Sequence, residues 1–270
     1  MPTFFETQAL AYSPELNWDM GMSGSSAIVS NGADTASLTM YSTVTAATGP
    51  TGVGDDSVDY LNTGYHRRNS LPTNLSTNNA GLIVISFKIN SLDDPAANQY
   101  LLSAGRAISG SQIMSIVVDT SGNLNNRWAE NGSATNSAIT VPNTAVNVAD
   151  GTYHFLALRQ KNDNTGFEMY LDGSWLAVTN TAIGSSSIND WWGSLDAAIA
   201  IDRFNIGRSS ANSTGDYLTG EVSHVAIYTT PLSNAQVDVL YNAWNQTPTT
   251  TNFSNKTHRR IGRRIFTDQF

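Results

Sequence analysis

The chain has 270 residues, of which 13% are charged and 40% hydrophobic, with a formal net charge of -8 and no cysteine. The missing cysteines exclude a disulfide framework, a thiolate metal site and a cysteine nucleophile. Asn, Ser, Thr and Gly fill much of the remainder, a balance suited to short strands joined by polar loops, and all-β sandwiches of this length commonly form a single core.

Taken in order, the opening MPTFFETQALAYSPELNW has no basic segment and no sustained apolar run. It therefore lacks the parts of a secretory leader, and synthesis in a cytosol is expected. Residues 1 to about 80 read as loop-rich, with strand-like fragments at Ala27–Ser30, Ser37–Val44 and Ser57–Leu61 separated by breakers such as Gly49-Pro50-Thr51-Gly52. Gly81–Asn90, GLIVISFKIN, is apolar on both faces, as a central sandwich strand should be. It lies in the longest apolar run, which is too short to span a bilayer, so no membrane partner is expected. Tyr100–Ala104, Ser111–Asp119 and Leu124–Ala129 follow as a meander, with turn residues at Ser109-Gly110 and Thr120-Ser121-Gly122-Asn123.

A polar segment rich in Asn, Ser and Thr then leads to the clearest pattern in the chain. Tyr153–Gln160 is apolar on both faces as far as Arg159, and Asn162-Asp163-Asn164-Thr165-Gly166 supplies the turn-formers for a reversal. In the returning run Phe167, Met169 and Leu171 alternate with Glu168, Tyr170 and Asp172, the period of a strand buried on one face. Asp172-Gly173 makes a second, two-residue reversal into Ser174–Val178, since Gly tolerates the positive φ such a hairpin demands. Three consecutive antiparallel strands are thus predicted. A loop, SSSINDWWGSLD, carries Trp191 and Trp192, and strands at Arg203–Gly207 and Leu218–Tyr228 follow. The one clear helix begins at Ser233: Ser233 and Gln236 fit a capping box, Leu232 and Val237 a hydrophobic staple, and Val237, Leu240, Tyr241 and Trp244 recur on one face.

Charge divides the chain in two. Its last fifteen residues carry Lys256, Arg259, Arg260, Arg263 and Arg264 against Asp268, a net +4. The preceding 255 hold nine cations and twenty-one acids, a net -12. Residues 1–246 are read as one β-sandwich and 247–270 as an extended basic C-terminal arm with no periodicity of its own.

The runs GTYHFLALRQ, FEMYLDGSWLAV, FNIGRSS and LTGEVSHVAIYTTPLSNAQVDVLYNAW together resemble the laminin-G-like, concanavalin-like jelly-roll family. The resemblance covers roughly residues 81–245. Gly220-Glu221-Val222 departs from it, standing where such domains commonly have Gly-Arg-Ile-Asp-Glu-Val. It implies an all-β antiparallel sandwich with one short C-terminal helix and extended terminal arms. It also implies work as a module that binds glycans or proteins, sometimes through calcium on rim loops, or that decorates virions and adhesins. Such folds do not dictate function.

Glycoside hydrolysis needs two carboxylates about 5 to 9 Å apart. Related hydrolases carry a Glu-x-Asp-x-x-Glu strand, and none of Glu6, Glu15, Glu130, Glu168 and Glu221 begins that pattern. Glu168 and Asp172 share a strand face, but Asp172 is a turn residue, so no catalytic residue is assigned. His66, His154, His224 and His258 lack ligand spacing, and His154 and His224 read as hydrogen-bonded sheet residues. Asp55, Asp56, Asp93, Asp94 and Asp163 offer hard oxygen atoms for calcium, the one cofactor considered, without the spacing of a known calcium loop. Trp191 and Trp192 are candidates for stacking on a sugar ring, with at most one of the adjacent pair free to do so. In the arm, Lys256, Arg259, Arg260, Arg263 and Arg264 are interleaved or flanked by Ile265, Phe266 and Phe270, which fits docking on an acidic, partly apolar protein surface better than nucleic acid. The expectation is a non-enzymatic structural or decoration protein on a virion surface, most simply a bacteriophage's, assembled with other capsid or tail subunits. The alternative is a lectin-like adhesion module that works outside the cell, and a glycoside hydrolase ranks third.

Overall fold

A computed structural model describes residues 4–20, 27–30, 32–34, 37–41, 44–48, 50, 56–61, 64–90, 97–106, 111–128, 137–141, 145–182, 188–210 and 216–245. In chain order these form α1 (Phe4–Ala11), β1 (Leu16–Asp19), β2 (Ala27–Val29), β3 (Ser37–Tyr41), β4 (Thr45–Thr48), β5 (Asp56–Leu61), β6 (Tyr65–Arg68), α2 (Thr73–Ser76), β7 (Gly81–Ile89) and β8 (Gln99–Arg106). There follow β9 (Ser111–Val118), β10 (Leu124–Trp128), β11 (Ser137–Val141), β12 (Tyr153–Gln160), β13 (Phe167–Leu171), β14 (Ser174–Trp175), β15 (Thr181–Ala182), α3 (Trp192–Ile199), β16 (Arg203–Ile206), β17 (Thr219–Tyr228) and α4 (Asn234–Trp244). The basic arm lies outside the described residues.

The strands make two antiparallel sheets. An eight-stranded sheet runs β14-β13-β12-β7-β17-β5-β4 with β1 also paired to β17, and a nine-stranded sheet runs β15-β11-β10-β9-β8-β16-β6-β3-β2. The two-sided apolar character of β7 has a direct cause. Ile83, Ile85, Phe87 and Ile89 enter the core between the sheets, beside Leu102, Ile116 and Phe204 of the nine-stranded sheet. Leu82 and Val84 face the other way, into a second cluster with Phe155, Ala157 and Tyr228 that α1 and α4 cover through Phe5, Ala9, Val237 and Leu240. One sheet is therefore buried on both faces, at about 1.5–3 kcal/mol for each large apolar side chain removed from water. Among the described residues no helix covers the outward face of the nine-stranded sheet in this way.

The central hairpins follow the sequence reading. Asn162, Asn164 and Gly166 take positive φ in the first reversal, and Asp172 (φ 48°) with Gly173 (φ 95°) makes the second. The regular pairing of the third strand ends at Trp175, short of the expected Val178, although Leu176 N–H still donates to Met169 O at 2.8 Å. The α4 cap matches as well: Gln236 N–H donates to Ser233 Oγ at 3.4 Å, and Ser233 N–H to Gln236 Oε1 at 2.8 Å. Three helices stand where loops were expected. Of these, α1 packs Phe5 edge-on to Phe155 and His224, at 6.2 and 4.7 Å between ring centroids.

Candidate functional site

The tryptophans read as a sugar platform are core residues, which corrects that expectation. Trp191 and Trp192 are both fully buried. Trp191 stacks on Trp128 at 5.0 Å, and Trp192 meets Trp128 edge-on at 5.3 Å. Their segment is no loop but the start of α3, where Trp191 N–H donates to Ser194 Oγ at 3.0 Å. Apolar area of that size gains more from the gap between the sheets than from water, so the helix turns both rings inward.

The remaining predicted residues do not converge. Asp163 uses its carboxylate to close its own turn, accepting from Thr165 N–H at 3.1 Å and Thr165 Oγ1 at 2.5 Å. Asp55, Asp93, Asp94 and the side chain of Asp56 lie outside the described residues, as does the arm with Lys256, Arg259, Arg260, Arg263, Arg264, Ile265, Phe266 and Phe270. Among the described residues no group of three His, Asp or Glu side chains is placed to hold a metal ion. Glu168 and Asp172 serve separate partners: Glu168 binds Arg159 and Lys161, while Asp172 accepts from Phe155 N–H at 2.8 Å and faces His154 Nδ1 at 2.7 Å. His154 is the hydrogen-bonded sheet residue expected. Burial disfavours its charge, but Asp172 and Asp150 outweigh that and hold it above the ordinary histidine value. His224 is not such a residue, since neither ring nitrogen has a hydrogen-bond partner, and burial pushes it down to about 4.

The cations sort by sheet. On the eight-stranded sheet every one is paired: Lys88 with Glu221, Arg159 and Lys161 with Glu168. Glu221 also accepts from Ser57 Oγ and Tyr153 OH. Burial works against its charge, yet these donors and Lys88 keep its carboxyl below the ordinary range, while burial and the charge of Glu221 raise that of Asp59 opposite. A cleft of about 450 Å³ beside Trp175 is lined by the same paired Arg159 and Lys161, with the Arg159 guanidinium 4.0 Å from the Trp175 ring centroid.

The outward face of the nine-stranded sheet differs. Strand alternation turns Leu38, Phe204 and Ile206 into the core and leaves Tyr41, Tyr65, Arg67 and Asn205 on the other side of the sheet, where Tyr41 and Arg67 are half-buried and Tyr65 and Asn205 buried. Gly207 (φ 82°) then bends the chain so that Arg208 bridges to Tyr217, a bend no other residue fits because a Cβ there would lie 2.5 Å from the Tyr60 ring. The result is an alternating arc of rings and guanidinium groups. Tyr41 and Tyr65 stack at 5.1 Å with 7° between their planes. Arg67 Cζ lies 5.1 and 5.0 Å from those two centroids, and Arg208 Cζ lies 4.7 Å from Tyr65 and 5.0 Å from Tyr217. Arg67 Nε donates to Asn205 Oδ1 at 2.9 Å, and the neighbouring Arg68 pairs with Asp34 at 3.0 Å. Arg67 and Arg208 have no carboxylate partner among the described residues. The Arg208 Nε donor is buried without an acceptor. Burial, joined by the like charges of Arg203 and Arg208, draws Arg67 below the ordinary guanidinium range against the opposing pull of Tyr65 and Tyr41. Sequence reading missed this cluster. Its one local trace is the spacing of Tyr65 and Arg67, two apart and hence on one face of a strand.

No family model matches the chain, and no curated protein matches it. Among solved structures it is similar to the receptor binding domain of botulinum neurotoxin mosaic serotype C/D, at 12% identity over 86% of this chain and 51% of that one, with a TM-score of 0.61. It is similar to a Trypanosoma rangeli sialidase, at 14% identity over 87% of this chain and 33% of that one, with a TM-score of 0.58. A weaker likeness, with a TM-score of 0.49 at 18% identity over 62% of this chain and 84% of that one, is to the CBM40 of a Ruminococcus gnavus IT-sialidase bound to α2,3 sialyllactose. The chain thus spans about half of the toxin domain and a third of the sialidase chain. At these identities the likeness is one of fold, and the fold is a concanavalin-like jelly-roll β-sandwich.

Proposed function

We propose that this protein is a non-enzymatic receptor-binding sandwich that recognises glycans through the outward face of its nine-stranded sheet. The observation that carries this reading is the arc of Tyr41, Tyr65 and Tyr217 interleaved with Arg67 and Arg208. Aromatic rings offer flat apolar area to the C–H face of a pyranose, and guanidinium groups beside them donate hydrogen bonds to its oxygens. A botulinum neurotoxin binding domain of similar fold is described in complex with rat synaptotagmin II. A glycan array on the intact chain, with and without chelator, tests the reading and any need for calcium. Saturable binding that Tyr41→Ala and Tyr217→Ala, the two half-buried rings of the arc, each weaken at least tenfold supports it. Binding that survives substitution of all three tyrosines places recognition elsewhere.

The charge split between the arm and the rest of the chain favours a second, compatible role. In it the sandwich is displayed on a virion and the arm, rich in arginine with Ile265 and Phe266 among the charges, is held by another capsid or tail subunit. Deleting residues 250–270 should then abolish incorporation into particles while leaving a folded body that still binds its ligand. Particles that carry the truncated chain at normal copy number would refute the anchoring role.

A further inference from the structure

Nine cations precede the arm, and four of them, Arg67, Arg68, Arg203 and Arg208, sit on or beside two paired strands, β6 and β16, of a body whose net charge is -12. Chance placement in so acidic a body would surround each with carboxylates, as happens to Lys88, Arg159 and Lys161. Arg68 follows that rule in its pair with Asp34, but Arg67 and Arg208 do not. Arg67 and Arg208 face tyrosine rings and each other's charge, and Arg208 keeps a buried donor without an acceptor. Both guanidinium carbons lie within about 5 Å of the single Tyr65 ring, so they are at most about 10 Å apart. Like charges held that close, partly out of water and without counter-charge, are costly to the fold. What relieves the cost is an anion.

We infer that the arc of Arg67 and Arg208 receives the anionic group, a carboxylate or a sulfate ester, of an acidic glycan whose ring lies against the tyrosines. This rests on the proposed glycan-binding reading and narrows it to a ligand class. A guanidinium presents paired N–H donors that match the two oxygens of a carboxylate or sulfate, which a lysine ammonium cannot do. The tyrosines stiffen the guanidinium groups by stacking, so that little side-chain freedom is lost when the anion arrives. A neutral sugar would leave the two charges uncompensated.

Isothermal titration of the full chain with lactose, sialyllactose and lactose 3′-sulfate tests this and separates carboxylate from sulfate. The expected result is binding of one or both acidic sugars at least tenfold tighter than lactose, weakening as salt is raised. Arg67→Gln and Arg208→Gln should each lower that affinity tenfold or more and lower the affinity for lactose by a clearly smaller factor, so that the preference for the acidic sugars shrinks. Arg67→Lys, which keeps the charge but not the paired donors, should fall between, and thermal unfolding of each variant confirms that it is folded. Equal affinity for lactose and the acidic sugars, unchanged in both Gln variants, would overturn the anion assignment while leaving a glycan-binding sandwich standing. No saturable binding of any of the three by folded protein would overturn both.

Discussion

At the scale of single residues, the histidines make stability depend on pH with opposing signs. His224 is fully buried against Phe5, and burial holds it at about 4 even though the charge of Asp19 pulls the other way. His66, whose Nδ1 lies 2.8 Å from Tyr60 OH, is also held at about 4 by burial. For both the folded value lies below the unfolded one of about 6.5. The unfolded chain therefore takes up the proton first, and stability falls as the pH drops from about 6.5 toward 4, by on the order of 3 kcal/mol for each. His154 acts in reverse, since its raised value gives a contribution that is complete below about pH 6.5 and is lost as the pH rises through its folded value. Two such downward shifts outweigh one upward shift, so the protein should be acid-labile. Urea midpoints at pH 7 and pH 4.5 measure this, and His224→Met, of similar volume and without ring nitrogens, should remove roughly half of the difference. An unchanged difference in that variant would clear His224 of the effect.

At the scale of elements, two features fixed by neighbouring residues stand as the sequence predicts. The Ser233 and Gln236 cap and the Asp172-Gly173 turn are each fixed by residues within four positions of one another, and both stand as expected. Ser233→Ala should cost about 1 kcal/mol, since the N–H of Gln236 loses its acceptor, and a shift in denaturation midpoint would register it. The segment of α3 was misread because its helix answers to distant partners. Trp192 and Leu195 are buried one turn apart, and Trp192 rests against Trp128 and Phe204, which lie far away in sequence. Trp192→Ala should accordingly cost about 3–5 kcal/mol by leaving a cavity. A platform residue exposed for sugar binding would instead lose affinity with little change in unfolding, so one denaturation curve separates the two.

For the whole molecule, the fold is legible in the sequence and the proposed binding face is not, for the same physical reason. A buried strand advertises itself by its own period, as β7, β12 and β13 do, whereas the arginine and tyrosine arc exists only because β6 pairs with β3 on one side and, across 138 positions, with β16 on the other. A polar fragment such as Tyr65–Arg68 carries no period that marks it as a strand, let alone as one edge of a site. The same arrangement supplies a test that needs no sugar. An anion that binds the folded state alone raises stability by mass action. At equal ionic strength sulfate should therefore raise the melting temperature above its value in chloride, and the part of that rise due to occupancy should vanish in an Arg67→Gln, Arg208→Gln double variant, where only general exclusion of sulfate from the surface remains. Identical sulfate increments in the native chain and the double variant would mean that the two guanidinium groups hold no anion.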